Sequence, residues 1–143
     1  MKQDGKTLME LVVVIAIIGI VSILAVANFL GLNSRIRVRA VTTEIASELR
    51  LARQLGMTHR NRVRVFFNLE RQALETQFLN SETIYRVYHY GDKGIVMEEP
   101  SAGPEVLFHP SGRSATATTI RFRSEEGQIQ KLTVSLTGRI SIL

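Results

Sequence analysis

The sequence predicts an α+β fold, in which a long N-terminal α-helix precedes a small antiparallel β-sheet and packs on it with its second half. Two observations predict this arrangement. The chain opens with an apolar run that continues into an amphipathic stripe, and the remainder consists of short alternating segments divided by glycine and proline. At 143 residues the chain has room for one core of ordinary size, which excludes the large multidomain enzymes.

The apolar run is long enough for a membrane-spanning helix. No charged side chain occurs from Leu11 to Ser34, and leucine, isoleucine, valine and alanine dominate as far as Leu32. At about 1.5 Å per residue, a helix from Leu11 to Leu32 reaches roughly 33 Å, the thickness of the hydrocarbon core of a bilayer. The segment is therefore predicted to cross a membrane.

The residues of this run leave several interpretations open. A cleaved secretory signal would use Lys2 and Lys6 as its basic region, and residues 25–27 (Ala-Val-Ala) as its cleavage site. An uncleaved signal anchor and a buried core helix are further alternatives. Glu10 argues against all of these, because a carboxylate at the edge of an apolar run is costly and usually has a partner or a task. The simplest alternative for Glu10 is a glutamate at the level of the lipid headgroups, in contact with water.

The string Gly5-Lys6-Thr7-Leu8-Met9-Glu10-Leu11-Val12 resembles the class III signal of type IV pilins and pseudopilins. The resemblance implies that residues 1–5 are a leader peptide, that a prepilin peptidase cleaves after Gly5, and that the new amino terminus on Lys6 is methylated. It further implies that residues 6–32 form both the membrane span and the filament core. Glu10 would there face the free amine of a neighbouring subunit's first residue, so that two buried charges compensate each other.

The helix is predicted to continue over residues 33–58 as an amphipathic segment. Apolar residues recur there at three- and four-residue steps, from Val38 to Leu55, and Gly56 and Thr58 mark the expected end. The charged residues of this segment fall on two flanks of a helical wheel. One flank carries Arg35, Arg39, Arg50 and Arg53, and the other carries Arg37, Glu44 and Glu48.

Residues 59–143 are predicted to form the antiparallel sheet domain. Alternating or apolar segments bounded by turn residues predict the following strands: 62–67, a short strand at 77–79, 82–90, 95–97, 106–108, 120–123, 132–136 and 139–143. The segments at 120–123 and 132–136 form the clearest hairpin. Residues 114–119 are small and polar, which favours a loop.

Three further segments resemble the minor pilins of the GspH and FimT type: residues 51–53 with 60–65, residues 108–113, and residues 134–142. The resemblance implies a structural subunit of a type IV pilus or a type II secretion pseudopilus, with other pilin subunits as partners. It places the chain in the bacterial inner membrane as a single-pass protein with its globular domain outside the cytoplasm, and then in a periplasmic pseudopilus or a cell-surface pilus. Charge counting alone predicts the opposite topology, because Arg35, Arg37 and Arg39 follow the span.

An excess of positive charge suggests a second function. Only two basic and two acidic residues precede residue 33, so the net charge of +5 belongs to the polar part of the chain. The candidate nucleic-acid contacts are Arg50, Arg53, Arg60, Arg62, Arg64 and Arg139. Such a patch could meet DNA, anionic lipid or an acidic subunit, and its simplest interpretation is a solvated flank. Some FimT-like pilins capture DNA for uptake in natural transformation through a Gly-Arg-x-Arg strand, and of that motif this sequence carries Gly138 and Arg139.

No pattern in the sequence predicts an enzyme, a metal site or a cofactor. The absence of cysteine excludes a thiolate zinc site and a cysteine nucleophile. His59, His89 and His109 lack the local spacing of metal ligands, and no phosphate-binding or dinucleotide loop occurs. The acidic pairs at 98–99 and 125–126 lie next to turns and do not form an evident acid/base pair.

Overall fold

A computed structural model describes residues 8–81 and 83–143, with the side chains of 25–32 outside the description. The predicted leader 1–5 and Lys6 therefore lie outside the described residues. The chain divides into two compact units, one of residues 1–33 and the other of residues 34–143. We refer to them as unit 1 and unit 2.

A single helix, α1, runs over Leu8–Thr58 and belongs to both units. In unit 1 its large apolar side chains from Leu8 to Leu24 are all exposed, by between 46% and 80%. The hydroxyl of Ser22 donates a hydrogen bond to the Ile18 carbonyl one turn earlier in the same helix, at 2.7 Å. Within the described residues, no helix combines the length and the apolar character that a membrane crossing requires. The predicted span over 6–32 also takes in residues 25–32, whose side chains are outside the description.

In unit 2 the helix buries the stripe that the sequence predicts. Val38, Val41, Ile45, Leu49 and Ala52 are all nearly inaccessible to solvent. Their three- and four-residue spacing places them on one face, which packs into a core shared with the strands. The helix ends at Thr58, within the region that Gly56 and Thr58 mark in the sequence.

Within residues 8–81 and 83–143, eight antiparallel strands form two four-stranded sheets. The first contains β1 (Val63–Asn68), β2 (Ala73–Phe78), β3 (Ile84–His89) and β5 (Glu105–Phe108), in the order β3-β2-β1-β5. The second contains β4 (Ile95–Met97), β6 (Thr118–Ser124), β7 (Ile129–Val134) and β8 (Ile140–Ile142), in the order β4-β6-β7-β8. A short 3-10 helix over Gly91–Lys93 leads from β3 to β4.

The α+β class and the helix packed on antiparallel strands are confirmed, while four details of the strand prediction are wrong. Strand β7 runs over Ile129–Val134, where a strand at 132–136 is predicted. The strands form two sheets, because β5 pairs with β1 and not with β4, its neighbour in sequence. Strand β2 begins at Ala73, four residues before the predicted strand. The alternation of apolar and polar residues is not visible in the sequence of β2, because the buried residue at its centre is Thr76, which is only 4% exposed. Strand β6 begins at Thr118, inside the predicted loop.

The acidic flank of α1 is tied to the first sheet and the 3-10 helix. Arg86 Nε lies 2.8 Å from Glu48 Oε2, and Lys93 and Tyr88 both donate hydrogen bonds to Glu44. The hydrogen bond from Lys93, and after it that from Tyr88, lowers the pKa of the Glu44 carboxyl. The Glu44 carboxylate in turn raises the pKa of the Lys93 amine. This flank of the helix therefore faces β3.

Candidate functional site

The basic flank of α1 is tied to the second sheet and its turns. Arg53 Nε donates to the Gly112 carbonyl at 2.7 Å, and an Arg50 terminal nitrogen lies 3.4 Å from the Ile140 carbonyl in β8. The wheel prediction is thus confirmed in unit 2, where the two flanks of the helix contact different sheets. Arg53 is partly buried, and the Nε edge of its guanidinium is used in this structural hydrogen bond.

Two glycines let the turns approach Arg53 closely. Gly112 and Gly138 have φ of 77° and 78°, in the left-handed region that favours glycine. A Cβ at Gly138 would lie 1.9 Å from the Gly112 carbonyl oxygen and 2.8 Å from Arg53 Nε. Each glycine is followed by an exposed arginine, so the backbone of Arg113 and that of Arg139 lie next to this contact. We call Arg53, Gly112 and Gly138 the glycine junction.

Arg60 and Arg62 lie just beyond the end of α1, on either side of Asn61. The Asn61 N–H donates to the Gly56 carbonyl at 3.2 Å, and a Cβ at Gly56 would lie 3.6 Å from the His109 carbonyl oxygen. The end of the helix therefore lies against the loop that contains Gly112. Both arginines are exposed, and among the described residues neither forms an ion pair with a carboxylate.

Arg64 does not join this group. It points away from the core between β2 and β5, where it donates to Gln77 Oε1 at 2.9 Å and lies 3.6 Å from Glu105 Oε2. The ion pair with Glu105 compensates the charge of Arg64. Of the six predicted arginines, the structure brings Arg50, Arg53 and Arg139 together at the turns and places Arg60 and Arg62 at the neighbouring helix end.

We call the surface that carries Arg50, Arg53, Arg60, Arg62, Arg113 and Arg139 the basic end of unit 2. Arg113 is the one of these residues that is not among the predicted nucleic-acid contacts. The sequence feature that could have identified Arg113 is its position directly after Pro-Ser-Gly. The turn glycine Gly112 packs against the helix, so the residue that follows it also lies near the helix. Within the described part of the chain, no group of three histidine or acidic side chains is placed to hold a metal ion. The surface is therefore one of charge, made by arginines that the helix end and two turns position.

Glu10 lies in the first turn of α1, among the exposed apolar side chains of unit 1. A carboxylate at a helix N-terminus is favoured by the backbone N–H groups and the helix dipole. Gly19, further along the same helix, has open space where a Cβ would stand. Unit 1 thus presents an apolar helix with an acid at its beginning.

The comparison with protein families identifies the chain. Residues 41–138 match the model of the type II transport protein GspH. The chain belongs to the GspH family. The match covers residues 41–58 of α1, strands β1 to β7 and the glycine junction. It begins after the apolar helix that carries Glu10 and ends before Arg139 and β8.

Two solved structures share the fold of this GspH family member. The type IV minor pilin FimU of Pseudomonas aeruginosa superposes with a TM-score of 0.66 at 17% identity, over 76% of this chain and 90% of that one. The minor pseudopilin EpsH of the Vibrio cholerae type 2 secretion system superposes with a TM-score of 0.60 at 12% identity, over 75% and 96%. No curated protein sequence matches the chain. The chain is thus a GspH family member with the fold of a minor pilin and a minor pseudopilin.

Proposed function

We propose that this protein is a minor pilin or pseudopilin, a structural subunit that joins a type IV pilus or a type II secretion pseudopilus through its N-terminal helix. In this proposal a prepilin peptidase cleaves after Gly5, Lys6 is methylated, and residues 6–32 hold the subunit in the inner membrane. Unit 2 lies outside the cytoplasm and contacts other pilin subunits in a periplasmic pseudopilus or a surface pilus.

The exposed apolar side chains of Leu8–Leu24 carry the proposal. They lie on every side of this part of the helix, in which Glu10 and Ser22 are the polar side chains. A helix that is apolar on all sides requires an apolar environment all round, which a bilayer supplies first and the helices of neighbouring subunits supply after assembly. Open space at Gly19 leaves room for close approach of another helix.

Processing by the peptidase tests the proposal directly. The full chain, co-expressed with a prepilin peptidase, should lose the mass of residues 1–5 and gain that of one methyl group. A Gly5→Val variant, in which a branched side chain replaces the residue before the cut, should retain the leader and serves as the control. Intact mass spectrometry distinguishes the two products. Retention of residues 1–5 by the unmodified chain would contradict the proposal.

DNA capture by the same subunit is the second candidate function. The observation that favours it is the basic end of unit 2. Arg60 and Arg62 are exposed at the end of α1, Arg139 is exposed directly after Gly138, and Arg50 and Arg53 bond to backbone carbonyls of β8 and the Gly112 loop. Phosphate contacts by arginine supply most non-specific affinity for DNA. Arg64, paired with Glu105, is the predicted contact that the geometry favours least.

Gel-shift titration of the full chain over a salt series tests DNA capture. The logarithm of the affinity should fall with the logarithm of salt concentration, with a slope of about −0.9 per phosphate neutralised on duplex DNA. Arg60→Gln with Arg62→Gln should weaken binding and flatten that slope by about 2. Arg121→Gln with Arg123→Gln is the matched control, because it removes the same charge from β6, where both arginines pair with Glu98. An affinity that does not change with salt concentration, or an equal loss of affinity in the two double variants, would rule out DNA capture.

A further inference from the structure

A shallow cavity of about 250 Å³ lies in unit 2 between α1 and β7. Its lining residues are Arg35, Val38, Arg39, Gln128, Ile129 and Gln130. The cavity is smaller than the pockets that hold drug-sized ligands, and its size suits a small charged group. We call it the helix-entry cavity, because unit 2 begins at Ser34.

The helix-entry cavity carries two positive charges and has no carboxylate in its lining. Arg35 and Arg39 are four residues apart, so they lie one above the other on the same face of α1. Arg35 Nε donates to Gln128 Oε1 at 3.3 Å, which orients one guanidinium beside the cavity. Among the described residues, neither arginine forms an ion pair. Paired guanidinium groups with amide neighbours match the oxygens of a phosphate.

The nearby carboxylate of Glu126 interacts elsewhere. Its pKa is lowered by hydrogen bonds from its own backbone, Ser34 and Ser124, and by the charge of Arg37. Arg37 lies on the other flank of the helix from Arg35 and Arg39. Among the residues that the structure describes, no ion pair joins Glu126 to Arg35 or Arg39, so both arginines of the cavity are available to an anion from outside.

Apolar side chains beside these arginines favour a lipid over an aqueous anion or a nucleic acid. Ile129 lines the cavity and is 54% exposed, and Ile36, between the arginines in sequence, is 65% exposed. Arginine with exposed aliphatic side chains is the combination found where a protein surface meets the boundary between headgroups and acyl chains.

Chain length keeps the cavity near the end of the predicted span. Arg35 follows Leu32 by three residues, and three residues reach at most about 11 Å. This limit holds for any placement of the two units. It also gives a reason for Arg35 and Arg39, which lie on the side of the span where the positive-inside rule predicts few basic residues.

We propose that the helix-entry cavity binds the phosphate of an anionic membrane lipid, with Arg35 and Arg39 as its ligands. The inference rests on the proposed function, because it requires residues 6–32 to lie in the membrane. The bound headgroup holds the beginning of unit 2 at the membrane surface. Ile129 contacts the lipid next to the phosphate.

Native mass spectrometry of the full chain tests the proposal. The protein, in a non-ionic detergent, is mixed with equal amounts of phosphatidylglycerol and phosphatidylcholine of the same acyl chains, and the retained lipids are counted. Retention should favour phosphatidylglycerol. Arg35→Gln with Arg39→Gln should reduce that preference by about fivefold for each arginine removed. Arg35→Lys with Arg39→Lys should keep most of it, and Arg121→Gln with Arg123→Gln should leave it unchanged.

Several results would overturn the proposal. The first is that the unmodified chain shows no preference for phosphatidylglycerol. The second is that the glutamine variants of Arg35 and Arg39 and those of Arg121 and Arg123 lose the preference equally. The third is that the lysine variants of Arg35 and Arg39 lose as much of the preference as the glutamine variants. Displacement of the lipid by inorganic phosphate at the same concentration would assign the cavity to a free anion instead. The intact mass of each sample reports leader cleavage separately, so a cleaved chain without lipid preference refutes only this inference, and an uncleaved chain counts against the proposed function.

Discussion

Replacing Gly138 by alanine should destabilise unit 2 by about 3–5 kcal/mol, enough to unfold a marginally stable domain. The added Cβ would lie 1.9 Å from the Gly112 carbonyl oxygen, a backbone atom that cannot move aside without opening the turn. The φ of 78° adds the strain of a left-handed conformation for a residue with a side chain. Urea denaturation of the full chain in detergent, followed by the near-ultraviolet circular dichroism of the tyrosines of unit 2, measures the effect.

Gly127→Ala separates the two causes of that destabilisation. Gly127 has a φ of 83°, close to that of Gly138, but nothing lies within 4 Å of the place where its Cβ would stand. We expect this variant to lose only about 1 kcal/mol, the lower end of the cost of a strained backbone. Equal losses in the two variants would show that the glycine junction tolerates the overlap, and that backbone strain alone requires Gly138.

Replacing Glu10 by alanine should reduce incorporation into filaments by at least about 100-fold. Under the proposed function, the carboxylate compensates the amino terminus of a neighbouring subunit. Removal of one partner of a buried ion pair typically costs about 3–5 kcal/mol, because the other charge stays buried without compensation. The measurement is the ratio of this subunit in sheared filaments to that in membranes, by quantitative immunoblot.

Two further variants make the Glu10 experiment specific. Glu10→Asp keeps the charge and should recover part of the incorporation. Ser22→Ala removes only a hydroxyl that bonds to the Ile18 carbonyl within the same helix, and it should assemble like the unmodified chain. Unchanged incorporation of the Glu10→Ala variant would show that this carboxylate has no part in assembly.

The helix and its burial were predictable from the sequence because both are local patterns. Val38, Val41, Ile45 and Leu49 repeat with the period of the helix, and the same period assigns the charged residues to two flanks. The division into two sheets was not predictable, because pairing of β1 with β5 joins segments separated by three other strands. The first four residues of strand β2 were not predicted, because a threonine takes the place of an apolar residue in its buried row.

The basic end of unit 2 was predictable only in part. A run of arginines after Glu48 is visible in the sequence, but the contacts of each side chain depend on distant residues. Arg64 finds Glu105 across the sheet, whereas Arg53 finds the Gly112 carbonyl in a loop. Neither partner follows from spacing, and both contacts reduce what these side chains offer to a ligand.

The opposite charges on the two flanks of α1 fix the rotational setting of the helix in unit 2. Glu44 and Glu48 hold it to β3 and the 3-10 helix, while Arg50 and Arg53 hold it to the turns around β8. A roll about the helix axis would bring glutamates against backbone carbonyls and arginines against Arg86 and Lys93. Rotation of α1 about its axis is therefore opposed by contacts on both flanks, and under the proposed function the same contacts would pass a torque on the helix to the whole of unit 2.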